Sequence, residues 1–261
     1  MLKESFHNHT WRCNHAENTE REYVESAIKG GMTKLGFSDH APYVFENGYY
    51  SGFRMKPELM PGYFDTLEAL KQEYKDKINI YIGFEAEYYP KFFDRFLKLI
   101  SDYPVEYLLL GQHFINNEMD RKDSFNESES VEKLKTYARQ VAEGLSTGKF
   151  ACLAHPDVLF FKGDKDIYQR EMLIVCEAAK KYNIPLEINL LGIRDGRIYP
   201  NPDFWEVAGQ VGNLVTIGSD AHKAREVYDP VSYEKAMELV KRYSLNYVDA
   251  GYIITGGYWR G

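Results

Sequence analysis

The feature that most limits the fold is a repeating rhythm. Short apolar runs, each long enough for one strand, alternate with amphipathic helical stretches along the whole chain. The apolar runs lie at residues 2–9, 34–39, 78–86, 107–112, 150–154, 186–190 and 214–219. After the first run, Thr19-Glu20-Arg21-Glu22 reads as a capping box, with Thr19 as N-cap and Glu22 reaching back. The helix it starts carries Val24, Ala27 and Ile28 on one face and stops at Gly30-Gly31. Leu67, Leu70 and Tyr74 mark a helix near residues 63–75, and Phe92, Phe93, Phe96, Leu97 and Ile100 repeat with helical period. Further helices are expected near 130–145, 168–182, 202–211 and 232–242. Seven strand-then-helix units with short connections predict a mostly parallel α/β sheet. An open doubly wound sheet has the same rhythm, so the choice between open and closed rests on the polar residues.

Five histidines stand at or just beyond the C-terminal end of an expected strand: His9, His40, His113, His155 and His222. His7 precedes His9 by two residues, so both point to one face of the first strand. His15 lies in the loop that follows. Glu85 and Glu87 end the third strand, and Asp220 ends the seventh. In a closed parallel barrel the strand C-termini open on one face, and residues far apart in sequence meet there. An open sheet would spread them along a crevice. The expected architecture is therefore a closed seven-unit relative of the (β/α)8 barrel, in one domain over residues 1–261, with its site at the C-terminal rim.

Several neutral imidazoles buried together lack donors for their acceptor nitrogens, and metal ions supply that partner. Imidazoles with a few carboxylates suit Zn, Fe and Mn better than Mg or Ca. The candidate ligands are too many for one ion and fit two or three, because a glutamate can bridge two cations. The net charge of −7 argues against a generic nucleic-acid partner. It leaves room for a small anionic substrate in a locally positive pocket. The 3 cysteines, Cys13, Cys152 and Cys176, make no disulfide framework. No signal-like N-terminus and no membrane-length apolar run are present, which reads as a cytoplasmic chain with reduced thiols and no membrane partner.

The motifs and their order resemble the PHP (polymerase and histidinol phosphatase) family. The resemblance is carried by His7-Asn8-His9-Thr10, Cys13-Asn14-His15-Ala16, Ser38-Asp39-His40, Gly83-Phe84-Glu85-Ala86, Gly111-Gln112-His113, Ala154-His155-Pro156 and Ser219-Asp220-Ala221-His222. It implies a distorted seven-stranded (β/α) barrel with a trinuclear centre. One ion would be held by His7, His9, Glu85 and Asp220, a second by Glu85, His113 and His155, and a third by His15, His40 and His222. The residue after the strand's Gly-Phe pair is the family's bridging ligand, which selects Glu85 over Glu87. Glu87 is then a substrate or supporting contact, and Asp39 a supporting residue.

Cys13-x-His15, Glu187-Ile188-Asn189 and Gly192-Ile193-Arg194 resemble the L-histidinol-phosphate phosphatase branch. That branch implies hydrolysis of a small phosphorylated metabolite by a metal-bridging hydroxide. Arg194 and Arg197 would bind the phosphate, and Asp220 or His222 would pass a proton. Competing expectations are another phosphoesterase of the same family (acting on phosphotyrosine or a nucleotide phosphate), an amidohydrolase, and a metal-binding regulatory domain without turnover.

Overall fold

The computed structural model describes residues 1–255. The strands are β1 Glu4–Ser5, β2 Lys34–His40, β3 Asn79–Ala86, β4 Tyr107–Leu110, β5 Cys152–Leu153, β6 Leu186–Asn189, β7 Leu214–Gly218 and β8 Asn246–Tyr247. The helices are α1 Glu20–Lys29, α2 Met60–Glu73, α3 Phe93–Ile100, α4 Val131–Ser146, α5 Lys165–Lys181, α6 Leu190–Asp195, α7 Pro202–Val211, α8 Pro230–Arg242 and α9 Tyr252–Thr255. None of them is long and apolar enough to cross a membrane.

All neighbouring strands pair in parallel, in sequential order β1 to β8. This corrects the expectation of seven strands. The eighth is two residues long and pairs with β7 at Leu214↔Asn246 and Val215↔Tyr247. So short a strand has no alternation by which to be seen. α6 follows β6 directly and was also unforeseen, because six residues hold too few turns for a clear apolar stripe.

No ladder joins β8 back to β1 among the described residues. Other contacts draw the two ends of the sheet together. An isolated parallel bridge pairs Asn8 with Ala221, where His9 N–H donates to the Ala221 carbonyl at 3.0 Å. The Ser219 amide donates to Ser5 Oγ at 3.0 Å, and the Gly251 amide donates to Glu4 at 2.5 Å. The result is a distorted, incompletely laddered barrel in which the ends of the first and seventh units still meet.

The larger core lies between the sheet and the surrounding helices, where Phe37, Ile82, Phe84, Leu108, Leu110 and Ile188 are buried. A smaller cluster that includes Phe6, Tyr107, Leu109 and Cys152 packs separately. Strands buried on both faces explain the near-continuous apolar runs. The capping box at α1 is formed as read: Thr19 Oγ1 accepts from the Glu22 amide, and Glu22 accepts from the Thr19 amide at 2.7 Å. All three cysteines are buried and unpaired.

Two glycines shape the rim. A Cβ on Gly111, just past β4, would overlap the Glu85 carboxylate arriving from β3. A Cβ on Gly218, at the end of β7, would overlap the Glu187 carboxylate arriving from β6. Added volume in so tight a packing forces a neighbour to move. Gly111→Ala and Gly218→Ala are therefore expected to lower metal affinity by about 10- to 100-fold while leaving the far-ultraviolet circular dichroism of a folded α/β protein. Elemental analysis of the purified variants checks this, and unchanged metal uptake by both would contradict it.

Candidate metal centre

The strand ends bring the expected ligands together from across the chain. His7 and His9 lie on the extended segment after β1. His40 ends β2, and its Cα partner in the ladder is Glu85 of β3. His113, His155 and Asp220 stand just past β4, β5 and β7. His155 and Asp220 have φ of 27° and 45°, a region costly for residues with a Cβ and one that clusters at functional sites.

Glu85 is the hub. Its Oε2 lies 3.6 Å from His7 Nε2, 3.6 Å from His9 Nε2 and 3.0 Å from His40 Nδ1. Its Oε1 faces the other way, 2.8 Å from His155 Nε2 and 3.3 Å from His113 Nε2. Asp220 Oδ1 lies 3.6 Å from His7 Nε2 and 3.1 Å from His9 Nε2. A third group is looser: His15 Nε2 and His222 Nε2 are 3.0 Å apart, and the His15 and His40 rings are 5.2 Å apart. His15 is exposed, whereas most of the other donors are buried.

These residues fit divalent ions. His7 Nε2, His9 Nε2, His40 Nδ1, Glu85 Oε2 and Asp220 Oδ1 are buried with no hydrogen-bond partner. Such atoms are costly unless something satisfies them. Donors about 2.0–2.2 Å from a tetrahedral ion lie roughly 3.3–3.6 Å from one another. The His7, His9, Glu85 and Asp220 separations of 3.1–3.6 Å are of that size. His7 with His9 and Asp220, His7 with Glu85 and His155, and His9 with His40 and His222 each form a compact donor group.

The electrostatics favour cations. Burial alone would raise the carboxyl of Glu85, but His113, His40 and His7 outweigh it and hold it well below the ordinary carboxylate range. Asp220 is held down likewise, with His7 and His9 opposing its burial. Burial and the neighbouring His9 push His40 and His222 well below the ordinary imidazole range. His7 and His9 are pushed the other way, well above that range, and His113 is raised, because the carboxylates facing them outweigh burial. A cation at the site would displace those protons, since ionised carboxylates and neutral imidazoles are the forms that ligate metals.

A supporting layer fixes the rings. His7 Nδ1 donates to Glu187 at 2.8 Å, and the other Glu187 oxygen accepts from the His155 amide at 3.0 Å. Asn189 Nδ2 donates to Glu187 at 2.9 Å and to Asp220 Oδ2 at 3.0 Å, leaving Asp220 Oδ1 free to face the histidines. His113 Nδ1 donates to Glu87 at 2.8 Å. Asp39 accepts from Thr10 Oγ1 and from the His40 amide, and lies 3.6 Å from His9 Nδ1. Glu87 and Asp39 therefore touch ligand candidates rather than an open space. The role of Glu187 was not foreseen; its signal was a carboxylate inside an apolar strand, which needs a buried partner.

The donors open into a cavity of about 520 Å³. Arg197, Arg225 and Lys223 line it together with Asp195 and Glu226, and Phe53, Phe114 and Phe125 add apolar surface. Phe125 stacks on the His113 ring at 5.6 Å, and Phe53 on Phe114 at 5.7 Å. Arg194 is not part of this lining. Its guanidinium holds Asp229 at 3.3 Å and reaches toward the Ser219 and Asp220 carbonyls at 3.5 and 3.4 Å. The expected pair of phosphate-facing arginines is thus divided. Arg197 faces the cavity, and Arg194 braces the turn that carries Asp220. Arg225 and Lys223 were not among the expected substrate contacts; they lie in and just before the short 3-10 turn Ala224–Glu226, too brief to show a period.

Comparison with known proteins places the chain among relatives of the same fold. The model of the PHP domain matches residues 5–190. The "Probable histidinol-phosphatase" of Deinococcus radiodurans is 27% identical, over 85% of this chain and 86% of its own length. The histidinol-phosphatase of Bacillus subtilis is 25% identical, over 91% of this chain and 99% of its own. The crystal structure of histidinol phosphate phosphatase from Lactococcus lactis, in complex with zinc, L-histidinol and phosphate, superposes with a TM-score of 0.71. That superposition covers 95% of this chain and 96% of the other, at 20% identity, and shows a shared fold. With the family model spanning most of its length, the chain belongs to the PHP domain family.

Proposed function

We propose that this protein is a metal-dependent phosphomonoesterase that hydrolyses L-histidinol phosphate to L-histidinol and phosphate. The observation that carries the reading is Glu85, which turns one carboxylate oxygen to each of two donor groups beside a cavity whose lining includes Arg197, Arg225 and Lys223. The relatives named histidinol-phosphatase support the choice of substrate, since they align with the chain over most of its length. On this reading His7, His9, Glu85 and Asp220 hold one ion, Glu85, His113 and His155 a second, and His15, His40 and His222 a third.

Bound divalent ions would supply Lewis-acid activation of water and of the phosphoryl oxygens. The chain's own residues do the rest. Arg197 and Arg225 present planar forks of donors suited to phosphate oxygens, and Lys223 adds a point charge. Phe53, Phe114 and Phe125 offer flat apolar faces against which the imidazole ring carried by the departing histidinol would pack. Glu187 and Glu87 hold the His7 and His113 rings in the tautomer that turns Nε2 inward. Asp220 is held well below the ordinary carboxylate range and His222 well below the ordinary imidazole range, directions that suit each to accept a proton alongside its role as a ligand.

The net reaction adds water across the P–O bond: the water oxygen stays on phosphate and a proton ends on the departing alkoxide. Phosphate release should be fastest with L-histidinol phosphate, compared with phosphotyrosine and a nucleotide monophosphate, in the presence of Mn, Zn or Fe. Preference for another phosphoester would move the protein to a different branch of the family. His113→Ala and His155→Ala should each lower metal content and hydrolysis together, with turnover falling on the order of 100-fold or more. Full activity after loss of that donor pair would contradict the ligand assignment.

A further inference from the structure

A cluster of charge is enclosed behind the His113 side of the centre. Arg54, Glu87 and Glu118 are all buried, and Arg54 has no exposed surface. The Arg54 Nη2 donates to both Glu87 oxygens at 3.0 Å and also to Glu118. Its Nη1 donates to the Ala41 carbonyl at 2.5 Å. Glu118 is held further by Ser51 and by the Tyr89 hydroxyl at 3.1 Å. The three charges come from three separate loops, after β2, β3 and β4. The main chain of Arg54 joins the same assembly, because its carbonyl accepts from Asn14 Nδ2 at 3.3 Å, next to His15.

A lone buried ion pair is weak evidence for a stabilising device, since apolar residues often pack as well. Here the pair has a directed outlet. Glu87 gives its Oε1 to His113 Nδ1, and His113 Nε2 then faces Glu85. We propose that Arg54 is a positioning residue for the metal centre: by gripping Glu87 it fixes the His113 ring, and by binding Glu118 it clamps the loops after β2 and β4 around that ring. The proposal rests on reading His113 as a ligand. Among the described residues, Arg54 and His113 are the hydrogen-bond partners of the Glu87 carboxylate, so losing the guanidinium would leave that carboxylate, and the ring it holds, free to turn.

The test uses the full chain equilibrated in metal–chelator buffers of Zn or Mn, with bound metal per chain as the readout beside turnover. Arg54→Met should need about 10- to 100-fold more free metal to fill one ion's worth of sites, while the remaining ions titrate as in the parent protein. Arg54→Lys keeps the charge but loses the fork, and should fall between. Excess metal should restore much of the turnover. A merely structural role would lower the melting temperature and leave the metal titration of the folded protein unmoved. Should Arg54→Met fail to fold, Arg54→Lys carries the comparison. His113→Ala separates the two readings. If it loses an ion while both Arg54 variants titrate like the parent, the Arg54 proposal is overturned alone. If His113→Ala retains every ion, the ligand reading and the proposal fall together.

Discussion

The structure depends on one constraint: a buried carboxylate, Glu85, surrounded by imidazoles that cannot all satisfy it. Five rings converge on its two oxygens, and several of their inward atoms have no protein partner. A fold that only packed apolar surface would not gather these groups, because each unsatisfied buried polar atom counts against stability. Divalent ions would resolve the conflict, and much of the surrounding architecture is what presenting the donors to them would require.

The barrel supplies the convergence. Parallel strands in sequential order place every strand C-terminus on one rim, so that residues as distant as His7 and Asp220 come within 3.6 Å. Gly111 and Gly218 clear space for carboxylates from neighbouring strands. Left-handed backbone at His155 and Asp220 aims two donors where an ordinary strand exit would not. Behind the donors, Glu187, Asn189, Glu87 and Arg54 form a hydrogen-bonded layer that holds ring orientation. These devices are mutually supporting, which is what a rigid metal site requires.

Much of this was legible in the sequence because regular structure carries a period. The capping box at Thr19 and the helical repeat at Phe92 to Ile100 both correspond to helices at those places. The donor positions were legible for a related reason, since they sit at a fixed place relative to each apolar run. What lay hidden has no period. The two-residue β8 and the one-and-a-half turns of α6 are too short to show one. Arg194 and Arg197 lie close together in sequence, yet whether such a long side chain turns into the cavity or braces a neighbouring turn depends on tertiary contacts. Glu187 could be flagged as a buried charge, but its partner, His7, is 180 residues away.

The central claim is that the two carboxylate oxygens of Glu85 face two separate ion sites and would hold an ion at each. Anomalous diffraction at a metal absorption edge, on crystals loaded with Zn or Mn, tests it directly. The account predicts two strong peaks roughly 3.5–4 Å apart, one on the His7–His9–Asp220 side of Glu85 and one on the His113–His155 side. A single peak at Glu85, or ions bound only away from it, would contradict the account.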